Sequence, residues 1–351
     1  MQLKKILCVL LAFACVISLA ACAADTDNTT VTTTSPFAQP EKTGVTVEGK
    51  SVFYNIDYTL YIPASYNSNK KTPLIMALHG GLQGTGAIDG PRTLFADFIG
   101  LNEYADEHGF MVIYPRQSTS NHFYGIDYWS WFSNQDRTSD EPKALYDILC
   151  EVKDEYNVDE SKTYICGFSA GAAMAEIMAV TYPEVFAGCA SVAGVPYKAC
   201  GAVDSVVVQT NGPTKTNEEL AQEIITAMGD KARASKLLVI NGTADVMVNT
   251  ANSAAMASSW TIAMEKIDSN VKSNGKSNEA VGNNNVSYKK TVYASLNGEE
   301  ICTHYEIENM GHLWPGAKVG VSLDPFYGTD FAFDGGIDTS KVICEFFGLA
   351  D

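Results

Sequence analysis

The sequence predicts an α/β fold class: a doubly wound, mostly parallel sheet with helices on both faces. Three observations lead there. From about residue 45 onward, short apolar runs alternate with segments of helical period, the pattern of strands joined by crossover helices. Leu74 to Leu78 is an unbroken apolar run, as expected of a strand covered on both sides. The strand-like run Thr163 to Phe168 passes through a glycine-flanked junction straight into a small-residue helix, Ala170 to about Thr181. At 351 residues and 46% hydrophobic content the chain can bury one large core or two modest ones. With no internal repeats, a single folded domain over residues 45–351 is the economical division.

In chain order, Lys4 and Lys5 precede an apolar run from Ile6 to Leu19 and small residues up to Cys22. That is the layout of a secretory signal over residues 1–21, too short to be a comfortable membrane span. Leu19-Ala20-Ala21-Cys22 resembles the bacterial lipobox, which implies an acylated Cys22 and a lipid anchor as the membrane contact; acyl labelling at Cys22 checks this. The expected location is therefore extracytoplasmic, on the cell membrane or secreted. Residues 22–44 are rich in Thr, Asp, Asn, Ser and Pro, and read as a flexible tether.

Val52 to Ile62 reads as strands, followed by the strand Leu74 to Leu78, a helix around Leu94 to Glu107, and the strand Phe110 to Tyr114. Ser139 to Tyr156 predicts a helix, with Ser139 as N-cap and Leu145, Ile148, Leu149 and Val152 on one face. After the Thr163–Thr181 unit come a strand Val185 to Val192, a helix around Glu218 to Met228, a strand Leu237 to Ile240 and a helix Ala251 to Ile267. Val286 to Ala294 and Glu300 to Ile307 read as a hairpin turning near Asn297-Gly298, and Thr339 to Phe347 as a closing helix.

The net charge of −17 and a pI near 4.7, without a Lys/Arg cluster, argue against a nucleic-acid partner and an anionic membrane surface. A neutral or weakly charged substrate fits better. Of nine cysteines, Cys8 and Cys15 leave with the signal. The remaining spacings match no disulfide framework and no zinc site. Cys166 and Cys189 fall in apolar runs, where a free buried thiol is the default, and Cys200 with Cys302 is the first pair to test for a bridge.

Gly167-Phe168-Ser169-Ala170-Gly171 is a G-x-S-x-G motif at a strand–turn–helix junction, the context of a nucleophile elbow in the α/β-hydrolase fold. The turn exposes the serine while the following helix directs N–H groups at the charge that forms on attack. A serine hydroxyl is inert at neutral pH without a base. In such folds the partners follow in the order Ser, acid, His. Of the two histidines after Ser169, His304 lies inside an alternating strand and reads as structural, whereas His312 lies in a loop just beyond it. Asp245, just past the strand Leu237 to Ile240, is the candidate acid. The expected oxyanion donors are the N–H groups of Ala170 and Gly81, the latter in His79-Gly80-Gly81-Leu82-Gln83, with His79 bracing that loop.

These motifs, with Trp129-Ser130-Trp131-Phe132, Gly242-Thr243-Ala244-Asp245 and Gly311-His312-Leu313-Trp314-Pro315-Gly316, resemble the poly(3-hydroxybutyrate) depolymerase-like esterases, which include feruloyl and acetylxylan esterases. The resemblance covers about Tyr54 to Phe347. It implies a Ser169–Asp245–His312 triad, acyl transfer to water, and no metal or organic cofactor. It also marks departures: Gly81 and Tyr128 stand where many relatives carry cysteines, which implies a missing bridge and a more mobile oxyanion loop. Trp129, Trp131 and Trp314 are candidates for the aromatic lip of a substrate cleft. Nothing is left over to build a polyester-binding domain, so esters of plant polysaccharides are the preferred substrate, with polyhydroxybutyrate depolymerase as the alternative. A non-catalytic, solute-binding lipoprotein is the rival from another class; it has no reason to keep a full triad.

Overall fold

Alternate side chains of each central strand enter opposite cores, which is what a sheet covered on both faces requires. The computed structural model describes residues 35–38, 44–51, 56–83, 94–117, 127–271, 275–317 and 331–350. The signal segment, Cys22, most of the tether, and residues 52–55 of the expected first strand region lie outside the described residues.

The strands of the main sheet are β1 (Val45–Lys50), β2 (Asp57–Ile62), β3 (Thr72–Leu78), β4 (Met111–Arg116), β5 (Val158–Phe168), β6 (Gly188–Val192), β7 (Lys236–Gly242), β8 (Lys276–Val281), β9 (Ser287–Ala294) and β10 (Glu300–Ile307). They form one ten-stranded sheet in the order β1-β2-β4-β3-β5-β6-β7-β10-β9-β8. The centre from β4 to β10 is parallel, and antiparallel strands flank it on both sides. The fold is that of the α/β-hydrolases.

Eight helices accompany the sheet among the described residues: α1 (Leu94–Ile99), α2 (Leu101–His108), α3 (Asp140–Glu155), α4 (Ala170–Thr181), α5 (Ser205–Asn211), α6 (Asn217–Met228), α7 (Thr250–Ile267) and α8 (Thr339–Phe347). One face buries Leu74, Met76, Met111, Ile113, Leu237 and Val239 under α3, α4, α6 and α7. The other buries Ile75, Ala77, Val112, Tyr114, Leu238 and Ile240 under α1, α2 and α8. None of the described helices is long and apolar enough to cross a membrane.

Several elements differ from expectation for identifiable reasons. The stretch from Leu94 is two helices, because Gly100 adopts a left-handed conformation (φ 71°) between them. Ser139 sits at the α3 N-cap, but its side chain makes no cap bond and instead accepts from Asp136 N–H. Helix α5 and strand β8 were not expected. Cys200 and Cys302 are both free, buried thiols, which corrects the suggested bridge. Cys302 points from β10 at α7, its Sγ 3.9 Å from the Ala257 carbonyl, while Cys200 lies in the loop before α5, its carbonyl held by Gln135 Nε2.

Candidate active site

The junction of β5 and α4 forces the chain through a turn that only particular residues permit. Ser169 occupies φ 55°, ψ −118°, a region that costs a non-glycine residue about 1–3 kcal/mol and persists only where its surroundings impose it. They do so here. A Cβ on Gly167 would stand 2.3 Å from the Gly171 carbonyl oxygen, and one on Gly171 would stand 2.2 Å from that of Leu78. Glycine at both positions lets strand, helix and the neighbouring end of β3 close together. Ser169 N–H is fixed on the Val192 carbonyl at 2.8 Å.

His312 meets this serine from the loop after β10. Its Nε2 lies 2.8 Å from Ser169 Oγ, and its Nδ1 lies 2.7 Å from Asp245 Oδ2. A carboxylate only accepts, so Nδ1–H donates to Asp245 and Nε2 is left to accept the serine proton. The second oxygen of Asp245 accepts from Met247 N–H (2.9 Å) and Val248 N–H (2.8 Å), so the carboxylate is held at three points. The Asp245 side chain is fully buried and that of His312 nearly so.

The loops that carry Asp245 and His312 are joined. Parallel pairing sets Ile307 beside Gly242 at the ends of β10 and β7. Thr243 N–H donates to the Ile307 carbonyl, Ala244 N–H to the Met310 carbonyl, and Asn309 N–H to Thr243 Oγ1. A Cβ at Gly242 would stand 2.1 Å from the Met310 carbonyl oxygen. His304 is buried in β10, its Nε2 2.6 Å from Asn241 Oδ1; burial lowers its pKa to about 4, so it stays neutral. It is a structural histidine, as its place in the strand suggested.

Ala170 is the first residue of α4, and Gly81 lines the same cavity; among the described residues neither N–H has a hydrogen-bond partner. The neighbouring loop amides are taken: Gly80 N–H by Gln83 Oε1 (2.9 Å) and Leu82 N–H by the Asp127 carbonyl (3.2 Å). His79 braces the loop. Gln117 N–H donates to its Nε2 (3.1 Å), which leaves Nδ1–H to donate to the Gly80 carbonyl (2.7 Å).

A cavity of about 340 Å³ opens over Ser169, with Gly81, Ala170 and His312 in its wall. Leu82, Tyr128, Trp131, Phe132, Phe168, Val195 and Phe331 make most of its lining apolar. Of the three tryptophans expected at the lip, only Trp131 lines it. Trp129 and Trp314 are each 0% exposed, which corrects that expectation. Trp314 packs edge-on against Phe95 (5.3 Å) and Phe168 (6.3 Å), and Phe168 lies against the His312 ring (4.9 Å). Trp129 packs on His79 (5.4 Å). Both indoles support the site from behind, because the strand ends leave apolar volume there that large rings fill.

Sequence reasoning missed α5, which contributes Val206 and Gln209 to the cavity, and the stretch after Asp245, which contributes Met247 and Val248. Gln209 ties the two together: its Nε2 donates to the Met247 carbonyl and its own carbonyl accepts Asn249 N–H. Of the cavity residues, Val206 (70%) and Met247 are exposed, as are their chain neighbours Val203, Val207 and Val246 (87%). Glu141 was missed as well. It is buried, and burial raises its pKa to about 7 against the lowering effect of hydrogen bonds from Ser130 and Gln117.

The family model described as Esterase PHB depolymerase matches residues 56–282. The chain is 29% identical over 314 residues to poly(3-hydroxyalkanoate) depolymerase C of Paucimonas lemoignei, covering 84% of this chain and 67% of that one. It is 27% identical over 213 residues to acetylxylan esterase A of Emericella nidulans, covering 59% of this chain and 66% of that one. It is 27% identical over 222 residues to feruloyl esterase B of Talaromyces funiculosus, covering 58% of this chain and 57% of that one. The chain thus spans between about half and two thirds of these relatives' lengths. An acetyl xylan esterase from Aspergillus awamori superposes with a TM-score of 0.63 at 20% identity, covering 87% of this chain and all of that one, a likeness of fold.

Proposed function

Because the chain belongs to the Esterase PHB depolymerase family, we propose that it is a serine carboxylic-ester hydrolase in which Ser169, His312 and Asp245 form the catalytic triad. The observation that carries this is the continuous hydrogen-bonded path from Ser169 Oγ through the imidazole to a buried carboxylate, opening on a cavity. Ser169 Oγ attacks the ester carbonyl carbon while His312 Nε2 takes the hydroxyl proton. Asp245 keeps Nδ1 protonated and stabilises the imidazolium without taking the proton itself. The carbonyl oxygen, now negative, accepts from Gly81 and Ala170 N–H. His312 returns the proton to the departing alcohol. A water, deprotonated by the same imidazole, then releases the acid and regenerates Ser169.

Ser169→Ala is expected to cut kcat for a nitrophenyl acyl ester by roughly three orders of magnitude or more. Undiminished turnover by the purified variant would remove the assignment of Ser169, whereas a wild type without turnover would favour a solute-binding scaffold.

For the substrate we propose esters of plant polysaccharides, feruloyl or acetyl. An aromatic acyl group fits a cavity walled by Tyr128, Trp131, Phe132 and Phe331. Exposed Val206 and Met247 at the cavity, with exposed Val203, Val207 and Val246 next to them in the chain, favour a second reading, a hydroxyalkanoate polyester, because exposed apolar side chains can lie on a water-poor polymer surface.

A further inference from the structure

The oxyanion position rests on a five-residue loop, and the ties that hold that loop converge on one carboxylate. On one side, His79 fixes the Gly80 carbonyl and is itself fixed by Gln117 N–H, just past β4. On the other, Leu82 N–H hangs on the Asp127 carbonyl, with Leu82 in a left-handed conformation (φ 66°). Glu141, in the first turn of α3, joins the two sides. Its Oε1 accepts from Gln117 Nε2 (2.7 Å) and its Oε2 from Ser130 N–H (2.7 Å), while Trp129 between them packs on His79. Gly81 and Tyr128 face each other across this gap; a Cβ at Gly81 would lie 3.8 Å from that of Tyr128, the separation of a disulfide-bonded pair.

We propose that Glu141 is a positioning residue for the oxyanion loop: its carboxylate clamps the segment after β4 to the Asp127–Trp131 segment, and so sets where Gly81 N–H points. This rests on the ester-hydrolase reading for its catalytic consequence. The clamp works in the ionised form, in which both oxygens accept. A proton on either oxygen sets a donor against a donor, and relief requires the Gln117 amide to turn over or the Ser130 contact to open. The ionisable groups on the segments packed around it are Asp140 beside it, Asp127, His79 behind Gln117, and Arg116, which is turned away to Asp57. Burial keeps the pKa near neutrality, so the clamp loosens as pH falls through about 7.

The test is a cycle of Glu141→Ala and Glu141→Gln in the full chain, each also carrying Gly81→Cys with Tyr128→Cys, assayed oxidised and reduced. Glu141→Ala is expected to lower kcat for a nitrophenyl ester about 10- to 100-fold with KM changed under about threefold, the scale of a misplaced donor. Amide exchange in residues 79–83 should quicken about tenfold or more while α4 is unchanged. Closing the engineered disulfide should restore most of the lost kcat, and reductant should remove the gain. Each Glu141 variant is scored against the Glu141-containing cysteine pair in the same redox state, so that effects of Gly81→Cys and Tyr128→Cys themselves cancel. Glu141→Gln keeps the volume and one contact, and should fold if the alanine variant does not. Its kcat should be intermediate, and the acid limb of log kcat against pH should fall with a slope of one instead of the wild type's approach to two.

Unchanged loop exchange in both variants would overturn the proposal. So would quickened exchange with wild-type kcat, or a loss that the disulfide does not rescue. If the wild type has no Ser169-dependent turnover but the exchange response is intact, the hydrolase reading fails and the clamp stands.

Discussion

The floor and the rim of the cleft are held by different means. The floor is fixed by backbone: strained Ser169, glycines that admit no Cβ, and carbonyls within 2.5 Å of where one would be. The rim, α5 with the stretch after Asp245, is tied by a few hydrogen bonds and leaves most of its apolar side chains in water. Backbone geometry tolerates almost no substitution, whereas an exposed valine tolerates nearly any. The division suits an enzyme that must keep its chemistry fixed while its surface adapts to a substrate.

The contrast can be broken most severely at Gly171. Gly171→Ala places a methyl against two backbone carbonyls that cannot swing aside, and is expected to cost about 3 kcal/mol or more and to lower the melting temperature sharply. A wild-type Tm with wild-type turnover would show that the floor gives way more easily than its contacts suggest. At the rim, Val206→Asp should leave stability within about 0.5 kcal/mol and kcat for a small soluble ester within about twofold. Side by side, release of ferulate and acetate from xylan and clearing of a polyhydroxybutyrate suspension then separate the substrates. A polyester enzyme should lose clearing severalfold on this substitution, and a polysaccharide esterase should show little clearing to lose.

An effect confined to alkaline pH lies beneath the floor. Glu176, two turns into α4, is fully buried; one oxygen accepts Tyr197 N–H and the other has no partner among the described residues. Burial raises its pKa to about 8 against that one lowering hydrogen bond. A carboxyl whose pKa is raised on folding binds its proton more tightly in the folded state. Its contribution is therefore complete below the unfolded value, near 4.5, and is lost as pH climbs through about 8. Glu176→Gln should match the wild type at pH 5 and exceed it by about 1–2 kcal/mol at pH 9. Denaturant midpoints at the two pH values give the answer, and a parallel pair of pH profiles would exclude the buried proton.

What could be read in the sequence follows the same line. The floor was legible because strain selects rare residues at fixed spacing: Gly167, Ser169 and Gly171 allow few substitutes, and Asp245 and His312 sit just past strands with clear apolar runs. The rim was not. Ser205–Asn211 carries three consecutive valines, a composition that argues against a helix, and buries only Ser205 and Val208. Strand β8 buries nothing fully and exists through its ladder to β9. Trp129 and Trp314 were visible as residues but not as directions, since nothing in a local pattern says which way an indole turns at a strand end. Glu141 was hidden for a related reason: an acidic residue in the first turn of a helix is what an ordinary solvated helix start also carries.

The stitched loops after β7 and β10 make Asp245 and His312 a single mechanical piece. Asp245 and His312 share a scaffold from Gly242 to Met310, whereas Ser169 belongs to β5, with β6 standing between. Any shear of the sheet is therefore concentrated at one contact, the 2.8 Å bridge from hydroxyl to imidazole, and spares the 2.7 Å one behind it. On the proposed mechanism, the proton passed between Ser169 and His312 crosses the seam between these two blocks.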